Sequence, residues 1–338
     1  MAYSALICGI EGSDLAGSER AFLADARPCG VILFKRNCET PNQLQRLTAA
    51  IRDLLGDPNY LILIDQEGGR VQRLGPPHWR RYPPGAAFHN RLGGDDKRAL
   101  AAGYATARLI AADLLAGGIN VNCAPVLDVP VPGAHDIIGD RAYGSDAQTV
   151  AAIGRAVAQA HLDAGVLPVI KHIPGHGRAN ADSHFSLPVV KAPLEELRAS
   201  DFAPFAALSD MPLAMTAHVV YEAIDPGAPA SASRTVINTV IRGEIGFDGV
   251  LMCDDIGMGA LSGSLSHRAQ AVLDAGCDVV LHCDGNLRHM QQIAEVTPLL
   301  AGDALRRFES AVRRLDAPKP YDMTSAQQVL REMLADQA

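Results

Sequence analysis

The chain has 338 residues, 48% hydrophobic and 20% charged, with a formal net charge of −8. This is the composition of an ordinary globular protein, and its 30 Lys and Arg gather into no basic tract, which argues against nucleic-acid binding. No apolar run reads as a membrane span, and the opening MAYSALICGI lacks the basic region, long apolar core and cleavage site of a signal peptide. The expectation is a cytoplasmic protein with no membrane partner.

In chain order, eight short runs rich in β-branched residues predict strands: 5–10, 30–34, 60–67, 119–129, 167–173, 213–220, 249–256 and 278–283. Each is a near-continuous apolar run rather than an alternation, as expected of strands covered on both faces of a parallel sheet. Helical patterns fall between them, over 41–55, 95–118, 145–165, 193–210, 233–246 and 265–276. Thr40 is placed to cap the first of these, with Pro41 in its first turn. Eight strands with helices between them predict a (β/α)8 barrel in the α/β class. A doubly wound sheet is the alternative, but EGSDLAG rather than G-x-G-x-x-G follows the first strand. No linker divides the chain, so residues 1–338 read as one barrel domain with C-terminal helices and no second α/β domain.

Seven cysteines, an odd number with no C-x-x-C pair, read as reduced thiols. The polar residues are more informative. Asp65 and Glu67, Asp128, Lys171 and His172, His218, and Asp254 and Asp255 all fall at the C-terminal ends of predicted strands. Barrel enzymes build their sites on that face, and charges collected there need a polar pocket.

Residues 169–185, VIKHIPGHGRANADSHF, hold three histidines. His172, His176 and His184 could ligate a metal, but no H-x-H, H-E-x-x-H or nearby cysteine supports that, and no metal or cofactor is expected. In an extended segment Asp182 and His184 share a side while Ser183 faces away. They read either as a dyad, with a carboxylate orienting an imidazole for proton transfer, or as a polar surface loop. Adjacent Asp254 and Asp255 should point in opposite directions, one of them into the pocket. Gly68 and Gly69 permit a sharp turn after strand three, near Asp65, Arg70 and Arg73.

DQEGGRVQR (65–73), GDRAYG (139–144), KHIPGHG with DSH (171–184) and FDGVLMCDDIGM (247–258) together resemble glycoside hydrolase family 3, in particular its single-domain bacterial β-N-acetylglucosaminidases. The resemblance implies a retaining mechanism with Asp254 as nucleophile, His184 as general acid/base and Asp182 as its partner. Asp65, Arg73, Arg141, Lys171 and His172 would bind sugar, with His176 as a supporting loop residue. It also implies a small carbohydrate substrate carrying terminal β-linked N-acetylglucosamine, an N-acetylglucosaminyl muropeptide of peptidoglycan recycling, acted on by a monomer. Many relatives carry the acid on a second domain, and the DSH loop agrees with an internal one. The reading from residues alone keeps a metal-dependent barrel hydrolase of an amide or lactone as the alternative.

Overall fold

The computed structural model describes residues 2–90, 96–179, 181–183 and 187–335. Eight strands close into a parallel barrel: β1 (Ser4–Gly9), β2 (Pro28–Leu33), β3 (Leu61–Ile64), β4 (Val121–Asn122), β5 (Leu167–Ile173), β6 (Leu213–Thr216), β7 (Val250–Met252) and β8 (Val280–His282). Neighbours in the chain are neighbours in the sheet, β8 pairs in parallel with β1, and a bridge from Met252 to Val279 closes the ring. Every residue of these strands is buried, which is why they read as unbroken apolar runs. All seven cysteines are free thiols.

Helices cover the outside. In α1 (Gly17–Ala26) and α2 (Pro41–Leu55) the caps follow local chemistry, and Thr40 accepts a 3.3 Å hydrogen bond from the Gln43 amide. Asp146 caps α4 (Ala147–Asp163), which lies against α3 (Asp96–Ala116). Helix α3 corrects the expectation that nothing in the chain is long and apolar enough to cross a membrane. It has a mean hydropathy of 1.3 over an 18-residue window, but 61% of that window is buried inside the molecule. It is packed between α4 and the C-terminal helix Met323–Leu334.

Prolines account for two of the other differences. The expected fourth strand over 119–129 contracts to two paired residues, because Pro125 has no N–H to give the ladder. The expected helix over 193–210 is two short ones, Leu194–Ala199 and Ala203–Ala207, with Pro204 in the first turn of the second. The sixth strand stops at Thr216, and Val220–Tyr221 instead pairs with Val189–Val190 beyond the barrel.

Side chains carry the pairing where the backbone cannot. The Asn122 side chain accepts from the Gln66 amide at 3.0 Å and donates to the Gln66 carbonyl at 3.1 Å, extending the junction of β3 and β4. Its amide nitrogen also meets Nε2 of buried His161 at 2.9 Å, which must therefore accept, while His161 Nδ1 donates to the Val157 carbonyl at 2.8 Å. Burial pushes this imidazole down to about 4, keeping it in that neutral form.

Past β5 the chain crosses the loop that follows β4 at close range. A Cβ on Gly177 would lie 2.0 Å from the Val129 carbonyl oxygen, so this glycine is required by contact rather than as a hinge. Gly177→Ala is expected to cost about 1–3 kcal/mol in chemical denaturation, the range for forced overpacking. A stability unchanged within error would show that the two loops are not held together.

Candidate active site

At the C-terminal mouth of the barrel, a cavity of about 330 Å³ is lined by residues from most of the strand ends. Its chemistry starts after β3. Gln66–Gly68 pairs antiparallel with Val71–Gln72 in a tight hairpin that turns through Gly69 and Arg70. Gly68 and Gly69 have φ of +106° and +58°, and a Cβ on either would strike Pro83 or Pro84. The buried Gln66 side chain accepts from the Arg73 and Leu74 amides at 2.9 and 3.0 Å and clamps the loop. This leaves Asp65 and Glu67, two residues apart, on the same side.

Between them stands the ammonium of Lys171, from the end of β5. Its Nζ lies 2.9 Å from Asp65 Oδ1 and 2.7 Å from Glu67 Oε1, and the lysine side chain is only 3% exposed. Arg73 reaches Asp65 Oδ2 at 3.0 Å. Arg141, from the GDRAYG loop, holds Glu67 with both arms of its guanidinium at 2.8 Å. Burial alone would raise both carboxyls, but the Lys171 and arginine charges outweigh it. Glu67 is brought down to about 2, Asp65 falls well below the usual carboxylate range, and Lys171 is held above its own.

A second network underlies the loop after β5. Asp128 is fully buried and accepts from His172 Nδ1 at 2.7 Å, from the His176 amide at 2.7 Å and from the His172 amide at 3.2 Å. Despite burial, the His172 charge brings this carboxyl to about 2. With Nδ1 bonded to Asp128, His172 has Nε2 left for the cavity that it lines. Burial, aided by the neighbouring His172, pushes His176 down to about 4.

Asp254 stands on the cavity wall beyond β7. Burial works against its charge, but His218, His172, the Asp255 amide and Lys171 together keep the carboxyl below its ordinary range. The Asp255 amide donates to its Oδ1 at 2.8 Å. Asp255 itself is occupied in holding the turn, accepting from the Gly257 amide at 2.9 Å and the Cys283 amide at 3.2 Å. Buried His218 supports the same turn, its Nε2 lying 3.1 Å from the Asp255 carbonyl. The pair diverges in role, although both carboxylates border the cavity.

Of the residues expected from sequence, Asp65, Arg73, Arg141, Lys171, His172 and Asp254 all line this one cavity. Ser183 lines it too and meets His176 Nε2 at 3.1 Å, whereas half-buried Asp182 is not part of the lining. His184 lies outside the described residues. Sequence reasoning placed Glu67 and Asp128 at the barrel mouth but gave them no role, and each is the acceptor around which a cation or two histidine amides are arranged. The i, i+2 spacing in Asp65–Glu67 was the available signal for the first. Asp128 left no comparable signal, because its partners lie more than forty residues away.

Two outcomes are expected. Glu67→Ala leaves Lys171 and Arg141 buried with unbalanced charge and should cost about 3–5 kcal/mol, whereas Arg70→Ala, which breaks an exposed pair with Asp140, should cost under about 1 kcal/mol. Equal losses in urea titrations would contradict the burial argument. The depressed Glu67 and Asp128 carboxyls contribute stability that is present above their unfolded values and disappears as they protonate. Unfolding free energy should therefore decline as pH falls from about 4.5 towards 2. Replacing both carboxylates with their amides should flatten that decline.

Comparison with known proteins agrees along nearly the whole chain. Residues 10–317 match the glycosyl hydrolase family 3 N-terminal domain. A beta-hexosaminidase of Alkalilimnicola ehrlichii is 40% identical over 341 residues, covering 93% of this chain and 96% of that protein. A beta-hexosaminidase of Xanthomonas euvesicatoria is 40% identical over 304 residues, covering 89% and 88%. Among solved structures, native NagZ from Neisseria gonorrhoeae superposes with a TM-score of 0.87 at 30% identity, covering 98% of both chains. A family 3 beta-N-acetylglucosaminidase from Paenibacillus gives the same TM-score at 29% identity, over 97% of this chain and 66% of the other. With eight parallel strands, a charged cavity at their C-terminal ends and these relatives, the chain belongs to glycosyl hydrolase family 3.

Proposed function

We propose that the chain is a retaining exo-β-N-acetylglucosaminidase that removes a terminal β-linked N-acetylglucosamine through a covalent glycosyl-enzyme. The observation that carries this reading is Asp254, an ionised carboxylate on the wall of a cavity whose other polar groups are arranged for hydroxyls. The β-N-acetylhexosaminidase activity itself is supported by the beta-hexosaminidase relatives at 40% identity.

In the first step an Asp254 oxygen bonds to the anomeric carbon as the bond to the leaving oxygen breaks. His184, held by Asp182, gives its proton to that oxygen. In the second step His184 takes a proton from water, which attacks the anomeric carbon and releases Asp254. Lys171, Arg73 and Arg141 supply donors to the sugar or to its acceptors, and Asp65 accepts from hydroxyls. His218, His172 and Lys171 face Asp254 and favour its anion. The donor proposed is N-acetylglucosamine linked to 1,6-anhydro-N-acetylmuramic acid, with or without peptide, which sets a monomeric enzyme in cytoplasmic peptidoglycan recycling.

A 5-fluorinated N-acetylglucosaminyl fluoride should accumulate as an adduct on Asp254, read by peptide mass spectrometry. An adduct on Asp255 would overturn the assignment. Asp254→Ala should lower kcat by roughly a thousandfold or more. His184→Ala should slow poor leaving groups far more than good ones, and equal losses would remove it as the acid. With the Asp254 carboxyl held below its ordinary range, kcat/KM should fall mainly on the alkaline side, as the His184 imidazole loses its proton. That limb should vanish in His184→Ala.

A further inference from the structure

We propose that His282, Asp284 and His289 form a binding site for a zinc-type divalent cation, separate from the sugar cavity. His282 ends β8. Its neighbours Leu281 and Cys283 line the cavity, but His282 does not, because successive strand residues point to opposite sides. It faces outward, against the helix Leu287–Ala294, which carries His289 in its first turn.

The donor atoms converge. His282 Nε2 lies 2.8 Å from Asp284 Oδ1, and His289 Nδ1 lies 2.5 Å from Asp284 Oδ2. One ligand atom from each of the three residues falls within 4.8 Å of the others. A cluster of two histidines and an aspartate can also be nothing more than two imidazoles bonded to a carboxylate. What argues for an ion is His282. Its side chain is 1% exposed, yet neither ring nitrogen makes a hydrogen bond, since the nearby Asp284 and Asp255 oxygens are out of line with them. A buried ring nitrogen without a partner is costly, and an ion between Nε2, Asp284 and His289 would satisfy it.

The surroundings are built for the purpose. On the far side of the ring, His282 Nδ1 lies 3.3 Å from Asp255 Oδ1, near enough that a small rotation of the ring on binding an ion would make the bond by which a carboxylate orients a metal-binding imidazole. Gly285, at φ +77°, passes so close to Ile10 that a Cβ would sit 2.5 Å from its carbonyl oxygen, which fixes the turn carrying Asp284. The Asn286 amide donates to Asp284 Oδ1 at 2.7 Å, and the Asn286 side chain caps the helix at the Arg288 and His289 amides. Two imidazole nitrogens and one carboxylate oxygen suit zinc, whereas magnesium and calcium prefer an all-oxygen shell. Asp284 and His289 side chains are 38% and 43% exposed, which provides an entry path and leaves a fourth position for water. The ion would staple the end of β8 to the next helix, one residue's side chain away from the turn that carries Asp254. Its role is to hold that turn in place and not to take part in hydrolysis.

The test is a titration of the chelator-stripped chain with zinc sulfate, followed by calorimetry and thermal unfolding, with and without saturating N-acetylglucosamine. The expected result is one zinc per chain that raises the unfolding temperature and persists in the presence of sugar. Asp284→Asn and His289→Ala, both on partly exposed side chains, should weaken binding by more than about tenfold and remove the thermal shift. Both should leave hydrolysis of an aryl β-N-acetylglucosaminide in chelator unchanged. Cobalt in place of zinc should show the visible bands of a tetrahedral ion, lost in His289→Ala. Undetectable binding, or binding displaced by sugar and indifferent to both substitutions, would overturn the site.

Discussion

An ammonium group held between two carboxylates organises the mouth of this barrel. Lys171 reaches Asp65 and Glu67 from a neighbouring part of the ring, and in so poorly solvated a place each charge is held by its opposite. The arginines that complete the set come from two separate loops, one after β3 and one after β4. Pairing therefore does two things at once. It pulls loops of unrelated sequence together over the barrel, and it gives the cavity fixed charges before any ligand enters. Preorganised charge of this kind is effective because it costs no rearrangement when a transition state forms.

The histidines of the mouth divide the work by what each is bonded to. His172 is tied through Nδ1 to Asp128, so that its other nitrogen is available to the cavity. His176 has been driven neutral by burial and supports the loop through its amide and Ser183. His218 braces the turn that carries Asp254 and Asp255. Three residues of one type, within one small volume, thus do different work because their partners differ.

Much of this was legible in the sequence. Unbroken apolar runs revealed a parallel sheet because both faces of every strand are covered, and the charged residues at the ends of those runs marked the correct face. The lengths of β4 and β6 were not legible. Pro125 interrupts one ladder by lacking a donor, and the pairing of Val220 depends on a segment thirty residues earlier. In the DSH segment Ser183 lines the cavity and Asp182 does not, which alternation could not decide because it says nothing about which side meets the cavity. Asp128 escaped assignment because a buried acceptor is defined by its partners, and those belong to another strand.

Helix α3 has a consequence for the growing chain. Its apolar surface is covered partly by α4 and partly by the C-terminal helix Met323–Leu334, which is made more than two hundred residues later. At about 5–20 residues per second, synthesis leaves part of that surface without its final cover for roughly ten to forty seconds. In that interval the segment has the length and hydropathy of something a membrane-insertion machine would accept. Helix α4, which follows it in the chain, is the cover that is made first.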